Sequence, residues 1–268
     1  NPTTFYLTPT DDDYLQMLYR HEVAVSLASS YISLGAGVLR SVDGTPSEPN
    51  HRGVLASTYT ADSLKPILDS FSLDMDDGVL ELRFNEPVNR STFDPTGINL
   101  QQDSNQGYGG EYYILVRDGM SIIGGTEPVN RSLAFGETFA FNVTLGTTNL
   151  NAIKAKYPLC STSSYTRLAV SVPIVEDYAG NLMTLSFRSI YSGIAPVIYT
   201  ADTTRPELSS FSLDMDEGTI TLYFSETVDV SSFDVTQVTL QQLSANTSES
   251  EYYTLRPTSY VGATDVAD

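Results

Sequence analysis

Apolar and polar residues alternate through "ELSSFSLDMD" and again through "TITLYF", a period of two that predicts strands. Ile220, Leu222 and Phe224 share one face of the second run, and "DEG" between the runs is hairpin-turn chemistry. The pattern also stands 140 residues earlier, where "SFSLDMDDGVLELRF" puts Leu80, Leu82 and Phe84 on one face. "STFDPTGINLQQ" then reads as a turn followed by a strand, and "ETFAFNVTL" as another strand. A short helix follows, announced by Thr148 with Asn149 and, near the start of the chain, by Thr10 with Asp13 three residues on, a capping-box spacing. Its apolar positions, Leu150 and Ile153 or Tyr14 and Met17, lie on one side. Strands "TRLAVSVP" and "LMTLSFRSI" flank the turn "EDYAGN". About seven short strands per unit predict an all-β chain of tandem immunoglobulin-like antiparallel β-sandwiches, each with one short helix.

The pattern repeats as sequence too. Residues 59–102 and 199–242 are identical at 25 of 44 positions, and "EYY" recurs at Glu111 and Glu251. A fainter repeat links "FNVTLGTTNLNAIKAKYP" from Phe141 to "FYLTPTDDDYLQMLYR" from Phe5, and "RLAVSV" from Arg167 to "EVAVSL" from Glu22. Both stretches lead into "YTAD". The expected organisation is a back half-domain at 1–58, a complete domain at 59–198 and a front half-domain at 199–268. A half alone leaves apolar faces and unpaired strand edges in water. The expectation is therefore that the front half of one copy is completed by the back half of the next. Such a head-to-tail contact builds a filament unless a ring closes. The same phase also fits a window of a longer tandem array, a stalk or adhesin in which each half is completed within its own chain.

Charge narrows the partners. The formal net charge of −19 argues against nucleic acid, which needs clustered Lys and Arg, and against an anionic membrane surface. No apolar run approaches the length of a membrane span. The single cysteine, Cys160, rules out an intrachain disulfide and reads as a buried small hydrophobe or as an interchain bridge. Four sequons, at Asn89, Asn130, Asn142 and Asn246, point to N-linked glycans and an extracellular or cell-surface location. Asn142 alternates with Phe141 and Val143, so it is expected to face solvent.

With "ADTTRPELSSFSLDMDEGTITLYFSETVDVSSFDVTQVTLQQ", "NLNAIKA" and "EDYAGN" in view, the chain resembles the Ig-like repeats of large extracellular microbial and microalgal proteins. The "FSE.V" and "D.AGN" phrases are similar to those of bacterial Ig-like and adhesin repeats. The likeness is strong at 59–102, 148–155, 176–181 and 199–242, and weak over 1–58, where "D.AGN" is lost. It implies a structural or adhesive role, as in surface fibrils, flagellar hairs or S-layers, and some related repeats bind Ca²⁺ at domain junctions.

Enzyme chemistry is not expected. His21 and His51 form no recognisable nucleophilic or metal-binding arrangement, and no phosphate loop is present. The carboxylates Asp74/Asp76/Asp77 recur as Asp214/Asp216/Glu217, and a catalytic pair would rarely repeat in each domain. No cofactor is required, but calcium is a candidate. Asp62, Glu86, Asp177, Asp202 and Glu226 offer the hard oxygens that it takes. Against this, Asp-rich turns are also plain turn formers, and no EF-hand spacing occurs. Asp11, Asp12 and Asp13 read as charge complementing a helix N-terminus. A glycan-binding module is a further alternative, with "GYGGEYY" at 107–113 as its candidate aromatic cluster, although "EYY" also reads as strand.

Overall fold

The computed structural model describes residues 3–20, 22–103, 109–124, 140–185, 193–244, 251–257 and 262. The chain divides into two units, 1–203 and 204–268, and each is described by itself.

The first unit opens with helix α1 (Asp11–Tyr19), where the Thr10 hydroxyl oxygen accepts from the Asp13 backbone N–H at 3.2 Å, the cap expected from the sequence. Strands β1 (Tyr31–Leu34) and β2 (Asn50–Leu55) then pair antiparallel. The side chains of β1 are exposed throughout.

From Ile67 onward the same unit builds a packed bead. Strands β3 (Leu68–Asp74) and β4 (Val79–Phe84) form the expected hairpin. Its turn is set by Asp74, whose Oδ1 accepts from the N–H groups of Asp76 and Asp77, and by Gly78 in the left-handed region. Next come β5 (Val88–Asn89), β6 (Ile98–Gln101), β7 (Tyr112–Ile114), β8 (Ser121–Ile123) and β9 (Ala140–Thr144). Helix α2 (Gly146–Lys154), β10 (Arg167–Val170), β11 (Glu176–Asp177) and β12 (Ile198–Thr200) complete it. One sheet has the order β12-β3-β4-β9-β8, a second β10-β6-β7, and β11 pairs with β5. Phe71, Leu80, Leu82, Phe84, Phe141 and Val143 of the first sheet share one core with Ile98, Leu100, Leu168 and Val170 of the second. Phe141 stacks on Phe84 and meets Phe93 edge-on. Each such side chain withdrawn from water contributes about 1.5–3 kcal/mol.

The regular structure among the described residues is thus mostly strand, largely antiparallel, with few helices. Three details depart from the sequence reading. The "IYT" of the linker forms β12, which pairs in parallel with β3, so the main sheet is mixed. Helix α2 starts at Gly146 and has no side-chain cap. Thr148 instead donates from inside the helix to Asp118, and buried Asn149 clamps the loop before β8. Its side chain accepts from the Val116 N–H and donates to the carbonyls of Val116 and Leu145. Of "LMTLSFRSI", Leu182 and Thr184 make isolated bridges, and residues 186–190 lie outside the described part. Cys160 is a buried free thiol, pushed up to about 12 by burial.

The structure also corrects the alignment of the back halves. "EVAVSL" is a run of bends and a short 3-10 turn, and β1 is the counterpart of β10. Ala24 and Cys160, both non-glycine residues with positive φ (56° and 52°), each give their carbonyl to a tyrosine hydroxyl, from Tyr59 and Tyr199. Ser30 donates to Ser26 O, and Thr166 to Thr162 O, at 2.7 Å in both cases. Ile32 faces Val54 as Leu168 faces Ile194. The turn between Arg40 and Pro46 matches that between Glu176 and Leu182, with Gly44 and Gly180 at φ 89° and 88°. The "D.AGN" turn is therefore kept in shape but respelled "SVDGT", with Ser41 in the place of Asp177. Turn hydrogen bonds and a left-handed residue hold this register, and apolar letters alone do not reveal it.

In the second unit β13 (Leu208–Asp214) and β14 (Thr219–Phe224) pair in the register of β3 and β4, bulge included. β15 (Thr239–Gln241) and β16 (Tyr252–Thr254) pair as β6 and β7 do. What differs is cover. Phe71 and Met75 are 1% and 2% exposed, whereas their counterparts Phe211 and Met215 are 54% and 79% exposed.

Candidate metal centre

Three chain segments meet at one end of the bead. Asp62 comes from the linker ahead of β3, Glu86 from the turn after β4, and Asp177 from the end of β11. A carboxylate oxygen from each lies within 4.8 Å of the others. Glu86 is only 5% exposed, and its Oε1 is buried with no hydrogen-bond partner.

Asp177 is held firmly. Its Oδ1 accepts from the N–H groups of Ala179 and Asn181, both at 2.8 Å. The Asn181 side-chain amide donates to Asp177 Oδ2 at 2.8 Å and to the Asp62 carbonyl at 3.1 Å. Asn181 thus orients two of the three acids, a role that "EDYAGN" hid because the residue reads as part of a turn. Asp62 also accepts from Leu64 N–H, an Asx-type turn.

The remaining candidates lie elsewhere. Asp202 pairs with Lys154 at 2.7 Å, and Glu226 belongs to the second unit. Both are repeat counterparts, of Asp62 and Glu86 respectively. Of the sequons, Asn142 is half-buried on β9, between buried Phe141 and Val143. Asn89 Oδ1 accepts from the N–H and hydroxyl of Ser91. Asn130 and Asn246 lie outside the described residues, as do His21 and residues 107–108 of "GYGGEYY". Tyr112 and Tyr113 are strand residues of β7, and His51 is exposed on β2.

Burial, and then the charges of Asp62 and Asp177, raise the Glu86 carboxyl to about 7. Tyr14, raised by burial first, also feels Asp62 and Glu86. A folded value above the ordinary 4.5 means that the folded state holds the proton more tightly. This contribution is complete below pH 4.5 and is lost as pH rises through about 7. Metal-free protein is therefore expected to lose on the order of 3 kcal/mol across that window. Glu86→Gln should flatten that part of the stability–pH curve, measured by urea unfolding in chelator. An unchanged slope would contradict the assignment.

No family model matches the chain, and no curated protein does. Among solved structures it is similar to "Crystal structure of the S-layer protein rSbsC(31-844)", at 14% identity over 57% of this chain and 16% of that one, TM-score 0.24. It is also similar to "Crystal structure of the N-terminal part of the bacterial S-layer protein SbsC", at 13% identity over 71% of this chain and 37% of that one, TM-score 0.26. At these values the likeness carries no argument about fold or function.

Proposed function

We propose that the chain is a structural subunit of an extracellular, cell-surface fibril, with an immunoglobulin-like bead as its building block. In this reading residues 1–58 of one copy complete the front half-domain of another. The observation that carries it is the exposed apolar face of β13, with Ile220, Leu222 and Phe224 of β14 only half-buried, whereas the counterparts of these residues in the bead are buried.

The two open halves are complementary strand by strand. In the bead β9 lies beside β4, with Leu80 facing Val143 and Leu82 facing Phe141. The counterparts are Ile220 and Leu222 on one side and Leu7 and Phe5 on the other, and Leu7 and Phe5 are exposed. Likewise β10 pairs with β6 in the bead, Leu168 facing Leu100 and Val170 facing Ile98. The counterparts here are Ile32 with Leu240 and Leu34 with Val238. Joining them would pair the edge of β14 with residues 5–7 and the edge of β15 with β1, and cover both apolar faces at once, which is strand addition on the scale of half a domain. Because the two surfaces differ, the contact is heterologous and propagates. N-linked glycans at Asn89, Asn130, Asn142 and Asn246 would coat the beads and weaken lateral contacts.

Purified chain, followed by sedimentation and electron microscopy as concentration rises, is expected to form filaments of alternating similar beads. A folded, monodisperse monomer at every concentration would sink the proposal and favour a stalk in which each half is completed within one longer chain.

A further inference from the structure

We propose that Asp62, Glu86 and Asp177 bind a divalent cation, Ca²⁺, which fastens the linker ahead of β3 to two turns of the bead. The inference is independent of self-assembly, because all three residues belong to the first unit of one chain.

The donor set decides the class of ion. Three carboxylates and no nitrogen or sulfur make a hard site, suited to Ca²⁺ rather than Zn²⁺ or Cu²⁺. Oxygens on a Ca²⁺ shell lie about 2.3–2.6 Å from the ion, so any two are at most about 5 Å apart. The 4.8 Å limit of the cluster fits that shell. Carboxylates bind in one- or two-oxygen fashion, and water completes the six to eight ligands that the ion takes.

Two further observations point to a ligand. Glu86 is buried, its Oε1 has no hydrogen-bond partner, and a carboxylate oxygen of the same residue lies with the other two acids. A buried acceptor in that state is costly unless something meets it. No described lysine or arginine pairs with Asp62, Glu86 or Asp177, so among the described residues these three acids have no counter-ion. Asn181 fixes the carboxylate of Asp177 and the backbone of Asp62 before any ion arrives. Such outer support keeps a small oxygen cage in shape.

The consequence is mechanical. Asp62 belongs to the "YTAD" segment, which joins the residue 1–58 portion to the bead. An ion bridging Asp62 to Glu86 and Asp177 ties that linker down, so calcium stiffens the connection that the linker makes.

The test uses the full chain at neutral pH, freed of metal by chelator and kept dilute, then titrated with Ca²⁺ alone. Isothermal titration and scanning calorimetry read binding and the unfolding midpoint. With Ca²⁺ at a hundredfold excess over its dissociation constant, the midpoint of the bead is expected to rise by about 5–10 °C. Glu86→Gln replaces a buried carboxyl crowded by two other acids with a neutral group of the same shape, and so leaves the bead folded. It should bind Ca²⁺ at least about tenfold more weakly, and so should Asp177→Asn. No binding heat up to about 10 mM Ca²⁺, beyond the weakest extracellular calcium modules, would overturn the proposal. So would a midpoint rise matched by NaCl at equal ionic strength, or a full calcium response in both variants.

Discussion

Phe71→Ala is expected to lower the unfolding free energy of the bead by about 3–5 kcal/mol, the cost of emptying an aromatic site in a close-packed core. Phe71 is 1% exposed and faces Leu82 across the β3–β4 hairpin. Its repeat counterpart Phe211 faces Leu222 in the same register, and its surroundings are open. In the dispersed chain Phe211→Ala should therefore change stability by no more than about 0.5 kcal/mol. In assembled material the two substitutions should converge, because in the proposed assembly the half-domain of a second copy would turn Phe211 into a core residue. Urea unfolding of dispersed chain, with the concentration at which filaments appear, separates these states. A cost for Phe211→Ala confined to assembly is the expected result. An equal cost in dispersed chain would mean that the face is already covered.

Gly146→Ala should cost about 3 kcal/mol or more. Gly146 opens α2 at φ 71°, where a side chain is strained, and a Cβ there would stand 2.5 Å from the carbonyl oxygen of Gly119 and 2.6 Å from its carbon. Those atoms are backbone, so no rotamer change relieves the clash. Displacing the start of α2 also pulls Asn149 off Val116 and Leu145, leaving buried amide groups unmet. Gly124→Ala is the control. It has φ 67° as well but no described atom within 4 Å of such a Cβ, so only the conformational cost of about 1 kcal/mol should remain. Thermal unfolding of both variants reads the difference, and equal losses would remove the close approach from the account.

Much of this was legible in the sequence because the signals were local. The β3–β4 hairpin follows from alternation plus "DDG", and the α1 cap from Thr10 with Asp13, each written within a few residues. The repeated phrase at Ser70 and Ser210 gave strands and turn correctly twice over, and even their shared bulge recurs. What stayed hidden depends on distant partners. The parallel strand β12 looked like linker because "IYT" is too short to show a period. Asn149 looked like a helix cap, but its side chain also holds Val116, in a loop more than thirty residues before it. "EVAVSL" mimicked a strand by composition, while backbone turns set the true match between β1 and β10. At the metal centre the residue types were readable. That Asp62, Glu86 and Asp177 meet while Asp202 turns to Lys154 was not, since it depends on how three segments converge.

The central claim, that two copies share one bead, fixes which residues must touch. In the bead Glu81 faces Asn142 across β4 and β9, and the counterparts are Thr221 and Tyr6. Cross-strand neighbours of this kind stand about 4.5–5.5 Å apart at Cβ, within reach of a disulfide after slight adjustment. The double variant Tyr6→Cys with Thr221→Cys, oxidised mildly and run under denaturing, non-reducing conditions, should give a ladder of covalently joined multimers. Either single variant should give dimers at most. A double variant that remains monomeric, or stops at dimers, would contradict the account.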